Sequence, residues 1–222
     1  MSLYSRKVWI VLAALVFCLG AASASLIRSL DDCPRLVDHP ERWEKVREAW
    51  RSDAVNVVLR HAADCDADEV EGCINGNEIL TLEGEQQAIV VGQGVRRSLG
   101  HNFSVRHSYL DRTESTATLA FGRSVEDPNI TKPCKDSLQS YVEGHEGPGN
   151  RFFVTHSSCL NSLKDTEGDS LLGINASKDH NFGIAAFFRR VKDGPDELLG
   201  CVWPADWPEL PGRASSENMA SR

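Results

Sequence analysis

The sequence has no C-x-x-C pair, no apolar run of membrane-spanning length, no linker rich in proline and serine, and fewer positive than negative side chains. Each shortage excludes something. A spanning helix needs roughly 20 consecutive apolar residues, whereas the longest apolar stretch, Val8 to Gly20, is shorter and soon gives way to polar sequence. That stretch reads as an export signal: Arg6-Lys7 precede it, and Ala22-Ser23-Ala24 follow as a small-residue cleavage site. The mature chain is expected to begin at about Ser25, with no stable membrane span after cleavage. Cys18 follows the bulky Phe17, where a lipid-attachment site takes a small residue, so a lipoprotein is not expected. The missing linker leaves one domain, residues 25–211, after the 1–24 signal and before a disordered tail over 212–222. The formal charge of −8 becomes −10 on maturation, because the signal carries Arg6 and Lys7 and no acid. Such a surface argues against a nucleic-acid partner and makes any anion-binding pocket a local basic island.

The missing C-x-x-C pair argues against structural zinc, and no metal or cofactor is expected. Six of the seven cysteines remain after the signal: Cys33, Cys65, Cys73, Cys134, Cys159 and Cys201. An even count in an exported chain suggests three disulfides, with fifteen pairings formally open. The spacing suits a small loop closed by Cys65 and Cys73 and a tie between the two ends through Cys33 and Cys201, which leaves Cys134 for Cys159. A cysteine hydrolase built on Cys159 and a histidine is the weaker use of that residue, since a disulfide consumes its thiol.

What is present is an alternation of strand and helix signals. Pro40 to Trp50 places proline in a first turn and Trp43, Val46 and Trp50 on one face, an amphipathic helix. Val55 to Leu59 is mostly apolar without alternation, the pattern of a central strand covered on both sides. Thr81 is placed to cap a helix from about Leu82 to Leu99 that stops at Gly100. Gly84, Gly92 and Gly94 each cost that helix about 1 kcal/mol relative to alanine, so close backbone approach to a neighbour is expected there. Phe103–His107 and Arg151–Thr155 read as strands, Gly183–Arg190 as a late strand, and Thr113–Phe121, Ser137–Glu143 and Ser157–Leu163 as helices. Trp203–Pro211 reads as a proline-broken terminal segment. The expected fold is α/β, a three-layer sandwich with a mostly parallel central sheet flanked by helices. Three N-x-S/T triplets, at Asn102, Asn129 and Asn175, match the glycosylation acceptor pattern by no more than chance and decide nothing.

Chemistry concentrates where strands give way to helices. Arg60-His61 ends the first strand, Arg112 follows the second, and His156 follows the third. In open α/β sheets the carboxyl ends of strands are where ligands bind. Two arginines and two histidines at one sheet edge make a phosphate pocket, because the arginine fork binds tetrahedral oxyanions bidentately. A neutral imidazole whose other nitrogen is held by a hydrogen bond is a nucleophile at phosphorus. His61 suits that role, and His156 suits donation to oxygens that gain charge. His39, His101, His107, His145 and His180 lack this context and are read as structural.

These motifs resemble the histidine phosphatase superfamily, which includes phosphoglycerate mutases and acid phosphatases. Val58-Leu59-Arg60-His61-Ala62 stands where the family has arginine-histidine-glycine, and Leu80-Thr81-Leu82-Glu83-Gly84-Glu85-Gln86-Gln87-Ala88 resembles its helix start. Ser108-Tyr109-Leu110-Asp111-Arg112-Thr113-Glu114-Ser115-Thr116-Ala117 matches the second-arginine motif, and Val154-Thr155-His156 the second histidine. The resemblance spans about residues 54 to 163 and is nearest to exported lipopolysaccharide core heptose(II)-phosphate phosphatases. Those proteins share the Arg-His-Ala loop with cysteines placed like Cys65, Cys73, Cys134 and Cys159. It implies a phosphoglycerate mutase-like fold, His61 as the phosphorylated nucleophile, and Arg60, Arg112 and His156 as a phosphate clamp.

Two positions depart from the pattern: Ala62 replaces a glycine, and Asp64 stands where the exported relatives carry arginine. A general acid must protonate the leaving alkoxide, and Asp136 is favoured over Asp64 and Glu143. The leading expectation is an exported phosphoric monoester hydrolase, periplasmic or secreted. Its partner would be a small-molecule or glycan phosphate ester, such as a phosphorylated envelope sugar. The competing expectation is a catalytically weak or inactive exported module of the same fold that binds a phosphate ligand.

Overall fold

The computed structural model describes residues 33–65, 73, 79–131, 134, 137–144, 148–165, 167–192 and 194–213. The expected signal, the expected tail beyond Arg213, Asp136 and His145 lie outside the described residues. Six strands form one sheet: β1 (Val55–Arg60), β2 (Phe103–His107), β3 (Val125–Glu126), β4 (Asn150–Thr155), β5 (Ala185–Arg189) and β6 (Glu197–Val202). Their order is β3-β2-β4-β1-β5-β6. The first four are parallel, β5 is antiparallel to β1, and β6 is antiparallel to β5, so only β5 runs against the rest.

Among the described residues, five helices cover the two faces: α1 (Pro40–Arg51), α2 (Leu82–Leu99), α3 (Asp111–Phe121), α4 (Ser137–Glu143) and α5 (Ser157–Leu160). Every residue of β1 is buried, and alternate side chains serve opposite cores. Val55, Val57 and Leu59 pack with Trp43 and Trp50 of α1, Val91 and Val95 of α2 and Ala117 of α3. Val58 faces Leu138 and Val142 of α4 and Cys159 and Leu160 of α5. The unalternating apolar run thus has the origin expected of it, a strand with helices on both faces. The fold is a three-layer α/β sandwich.

α2 keeps its expected limits. The Thr81 hydroxyl accepts from Gly84 N at 2.9 Å, and Gly100, at φ 89°, ends the helix. Its glycines meet backbone and aromatic neighbours. A Cβ at Gly84 would lie 2.0 Å from the Ala63 carbonyl oxygen, one at Gly92 1.9 Å from that of Ala120, and one at Gly94 2.5 Å from the Trp207 side chain.

Several expectations change. The helix expected over Ser157–Leu163 stops at Leu160; beyond it Ser162 N and Leu163 N bond three residues back, to Cys159 O and Leu160 O at 3.2 Å, while the Asn161 side-chain amide donates to Asn175 and Ser177. β6 carries no strand signal of its own: Gly200 interrupts it so that the Pro34 carbonyl and Leu36 can close over it. Gly212 and Arg213, expected to begin the tail, pack on α2, where Arg213 N donates to Arg97 O at 3.0 Å. Cys33 is bonded to Cys201, Cys65 to Cys73 and Cys134 to Cys159. The first bond spans 168 residues, a constraint worth about 5 kcal/mol on the unfolded chain by loop-closure entropy.

Candidate active site

Parallel pairing brings three strand ends to one edge. Arg60 is opposite Thr155 across β1 and β4, and His107 is opposite Val154 across β2 and β4. The chain then leaves each strand one residue later, at His61, His156 and Ser108. Backbone bonds continue the ladder past the strands: His61 N donates to Thr155 O at 2.9 Å and Ser108 N to Val154 O at 3.1 Å. The two histidine rings come within 5.5 Å, centroid to centroid.

His61 is 4 % exposed, and its Nδ1 lies 2.8 Å from its neighbour Ala62's carbonyl oxygen. A carbonyl only accepts, so Nδ1 carries the proton and Nε2 keeps its lone pair. No described residue bonds to Nε2. Burial pushes this imidazole well below its usual pKa of 6.5; the bond to Ala62 opposes that, while the charges of His156, Arg112 and Arg60 reinforce it. The ring is therefore neutral at neutral pH.

Arg60 is buried, with its guanidinium 3.6 Å from the centroid of the Phe182 ring. Its Nη1 donates to Ala176 O at 2.6 Å and Lys178 O at 2.7 Å, while Nε has no acceptor among the described residues. Burial lowers its pKa to about 10, against the charges of Asp64 and Asp179, so it remains a cation. Arg112 lies in the first turn of α3, and its Nη1 is 3.2 Å from Asp64 Oδ2, both side chains being largely buried. Thr116 ties this helix to the loop after His61: its hydroxyl accepts from Ala62 N at 3.0 Å and donates to Arg112 O at 2.7 Å.

His156 is fully buried, and its Nε2 is 2.7 Å from the Ser108 hydroxyl. Ser108 Oγ also accepts from Leu110 N at 3.3 Å, and Thr113 Oγ1 lies equally far away. Thr113 has shorter acceptors in Ser108 O at 2.7 Å and Leu110 O at 2.6 Å. The Ser108 proton therefore goes to its shortest contact, His156 Nε2, which places the ring proton of His156 on Nδ1. Ser108→Ala is expected to lower turnover about 10–100-fold, the worth of one hydrogen bond of about 1.5–3 kcal/mol. The ¹⁵N shifts of His156 check the cause, because a purely structural loss leaves the tautomer as it was.

The structure thus brings together Arg60, His61, Arg112 and His156. Asp64 joins them, paired with Arg112, so the expected basic island contains a carboxylate. Glu143, weighed as a general acid, goes elsewhere. It lines a cavity with Asp196, whose carboxylate accepts from Asn56 Nδ2 at 3.1 Å. Asn56 precedes His61 by five strand residues, on the order of 16 Å. His107, the last residue of β2, is buried, and its Nδ1 contacts Ser108 O at 2.9 Å. Ser108, Thr116 and Gln87, whose side chain accepts from Ala63 N at 3.1 Å, lay inside quoted motifs without an assigned role. Phe182 and Asp179 carried no signal, because the loop that places them has no regular pattern. Among the described residues no group of three or more His, Cys, Asp or Glu is placed to hold a metal ion. Nor is any described helix long and apolar enough to cross a membrane.

No protein-family model and no curated protein matches the sequence. Solved structures do match. Phosphoglycerate mutase from Bacillus anthracis str. Sterne superposes with a TM-score of 0.50 at 12 % identity, over 72 % of this chain and 98 % of that one. YhfR of Bacillus stearothermophilus gives 0.47 at 17 % identity, over 66 % and 95 %. The protein histidine phosphatase SixA complexed with tungstate gives 0.47 at 15 % identity, over 68 % and 98 %. With the layer order and sheet described above, the chain has the α/β fold of phosphoglycerate mutase.

Proposed function

We propose that this chain is an exported phosphoric monoester hydrolase of the histidine phosphatase superfamily, working through a phosphohistidine on His61. The observation that carries the reading is the state of His61: a neutral imidazole with Nδ1 engaged by Ala62 O and Nε2 unengaged, between two arginines and a second histidine. Nε2 attacks phosphorus, the ester P–O bond breaks, and an acid delivers a proton to the leaving oxygen. Water then attacks phosphorus, giving a proton to the carboxylate that protonated the leaving group, and the P–N bond breaks, releasing inorganic phosphate and restoring the imidazole. Arg60 and Arg112 stabilise charge on the transferring group, and His156, held by Ser108, donates beside them.

Asp136 is the proposed general acid; it follows by two positions Cys134, which is buried 4.0 Å from the Thr155 hydroxyl beside His156. Three disulfides and the signal-like first residues support export to a periplasmic or secreted setting. In that setting a phosphorylated envelope sugar is a more plausible substrate than a cytoplasmic metabolite. The second reading, a phosphate-binding module with little turnover, is favoured by one observation, the hold of Asp64 on Arg112.

Oxidised mature protein incubated with p-nitrophenyl phosphate at several pH values separates the two. Turnover, with an acid-labile phosphoprotein captured on quenching, is the expected result. Absence of both at every pH would overturn the hydrolase and leave the binding module.

A further inference from the structure

Among the described residues Phe182, a large aromatic side chain, belongs to none of the apolar cores. Its ring meets groups of the site instead. The Arg60 guanidinium lies 3.6 Å from its centroid, and the His61 ring centroid lies 5.6 Å away. Arg60 and His61 are successive residues, and successive side chains of an extended chain point to opposite faces. One ring from a distant loop therefore touches the cation and the nucleophile together. The loop is held on both sides of that ring by bonds to neither side chain. Asn181 N donates to Lys178 O at 3.0 Å, Asn181 Nδ2 to Asn175 O at 2.9 Å, and Asn181 Oδ1 accepts from Trp203 Nε1 at 2.8 Å. After the ring, Gly183 N donates to the His61 backbone carbonyl at 3.2 Å, and Gly183, at φ 67°, has no room for a Cβ, which would lie 2.7 Å from Pro204 Cγ.

The same loop takes both protons of Arg60 Nη1, at Ala176 O, 2.6 Å away, and Lys178 O, 2.7 Å away. What remains of the guanidinium is its Nε–Nη2 edge, a fork for two oxygens of a tetrahedral anion, whose buried Nε has no acceptor among the described residues. Two bonds at one nitrogen anchor that end of the group and leave its tilt soft, because N–H···O bonds accept about 30° of bend. A tilt of that size moves the far edge of the fork by roughly 1 Å, a misplacement that costs on the order of 10²-fold in a positioned reaction. A ring stacked on the guanidinium sets the plane that the two carbonyls leave soft. We propose that Phe182 is the positioning residue of the phosphoryl site, holding the plane of Arg60 so that its Nε–Nη2 edge meets the anion beside His61. The proposal rests on the phosphoryl-site reading above, and it adds what orients the clamp.

The test is tungstate binding, measured by calorimetry on oxidised mature protein. The proteins compared are wild type, Phe182→Leu, Phe182→Tyr, Arg60→Lys and the double variant carrying Phe182→Leu and Arg60→Lys. Leucine keeps apolar bulk without a flat face, tyrosine keeps the face, and lysine binds as a point charge with no plane to hold. Phe182→Leu is expected to weaken binding at least tenfold when Arg60 is present and less than threefold in the Arg60→Lys background. Phe182→Tyr is expected to stay within threefold of wild type. Ratios of kcat/KM on p-nitrophenyl phosphate take the place of affinities if Arg60→Lys binds too weakly for calorimetry, and Phe182→Met takes the place of Phe182→Leu should the latter not fold. A purely structural loss weakens both backgrounds alike and overturns the proposal. Unchanged binding in Phe182→Leu, or a Phe182→Tyr variant no better than Phe182→Leu, overturns it as well. In each of these outcomes wild type still binds tungstate, and the phosphoryl site stands. Failure of wild type to bind tungstate overturns the phosphoryl-site reading itself, and this proposal with it.

Discussion

His61→Ala is expected to lower turnover by on the order of 10³-fold or more, and to abolish the acid-labile phosphoprotein, while tungstate still binds. The nucleophile of a double displacement has no substitute nearby. His156 cannot take over, because its Nε2 is engaged by Ser108 and the second ring stands 5.5 Å from the first. Arg60 and Arg112 remain to hold the anion, so binding and chemistry separate in this variant. Full activity in His61→Ala would remove His61 from the mechanism.

The same residue sets a pH signature. Its pKa in the folded chain is well below 6.5, so the nucleophile stays neutral, and turnover is not limited by His61 as pH falls through 6.5. Stability behaves differently. Below 6.5 the unfolded chain takes up a proton at His61 that the folded chain refuses, so folding loses up to about 1.4 kcal/mol per pH unit from this group. The loss runs from 6.5 down to the folded pKa and is absent above that window. Denaturant midpoints measured across pH 5–8 check it, with a shallower acid slope in His61→Ala.

Gly92→Ala is expected to destabilise the fold by about 2–3 kcal/mol, against the gain of about 1 kcal/mol that alanine brings to an exposed helix. The new Cβ would meet the Ala120 oxygen at 1.9 Å, its carbonyl carbon at 2.6 Å and its Cα at 2.8 Å. These are backbone atoms, and they cannot turn aside as a side chain would. α2 and α3 must separate, and both pack on the sheet through Val91, Val95 and Ala117. For a chain of this size the midpoint of thermal unfolding should fall by about 4–12 °C. An unchanged or raised midpoint would show that the helices do not approach as described. Gly84 makes an equally close approach, but to Ala63, two residues after His61, so replacement there should also disturb the site.

Much of this architecture is legible in local pattern. The limits of α2 follow from a Thr81 cap and a Gly100 stop, both local conformational preferences. β1 and β4 are legible because two-sided burial demands an unbroken apolar run. β6 is not legible, because its Gly200 answers to a segment more than 160 residues earlier in the chain. The end of α5 is not legible either: after Asn161 the backbone bonds shift from four residues back to three, and the Asn161 side chain is held by Asn175 and Ser177, more than a dozen residues later.

The site divides along the same line. Residue order determined the candidates Arg60, His61, Arg112 and His156, because a parallel sheet carries chemistry just past its strand ends, wherever the strands lie. What stands next to each candidate is set by packing. The Ala62 carbonyl on His61 Nδ1, the Ser108 hydroxyl on His156 and the Phe182 ring under Arg60 arise only when three strand ends and a distant loop meet. Asp64 shows the difference most directly. In sequence it is a carboxylate where a cation was expected, and only the fold decides that it faces Arg112, because Gly84, Leu80 and Cys65 hold its backbone there. Sequence determines which groups are available at the edge; tertiary structure decides their protonation and pairing, because both depend on burial and on neighbours distant in the chain.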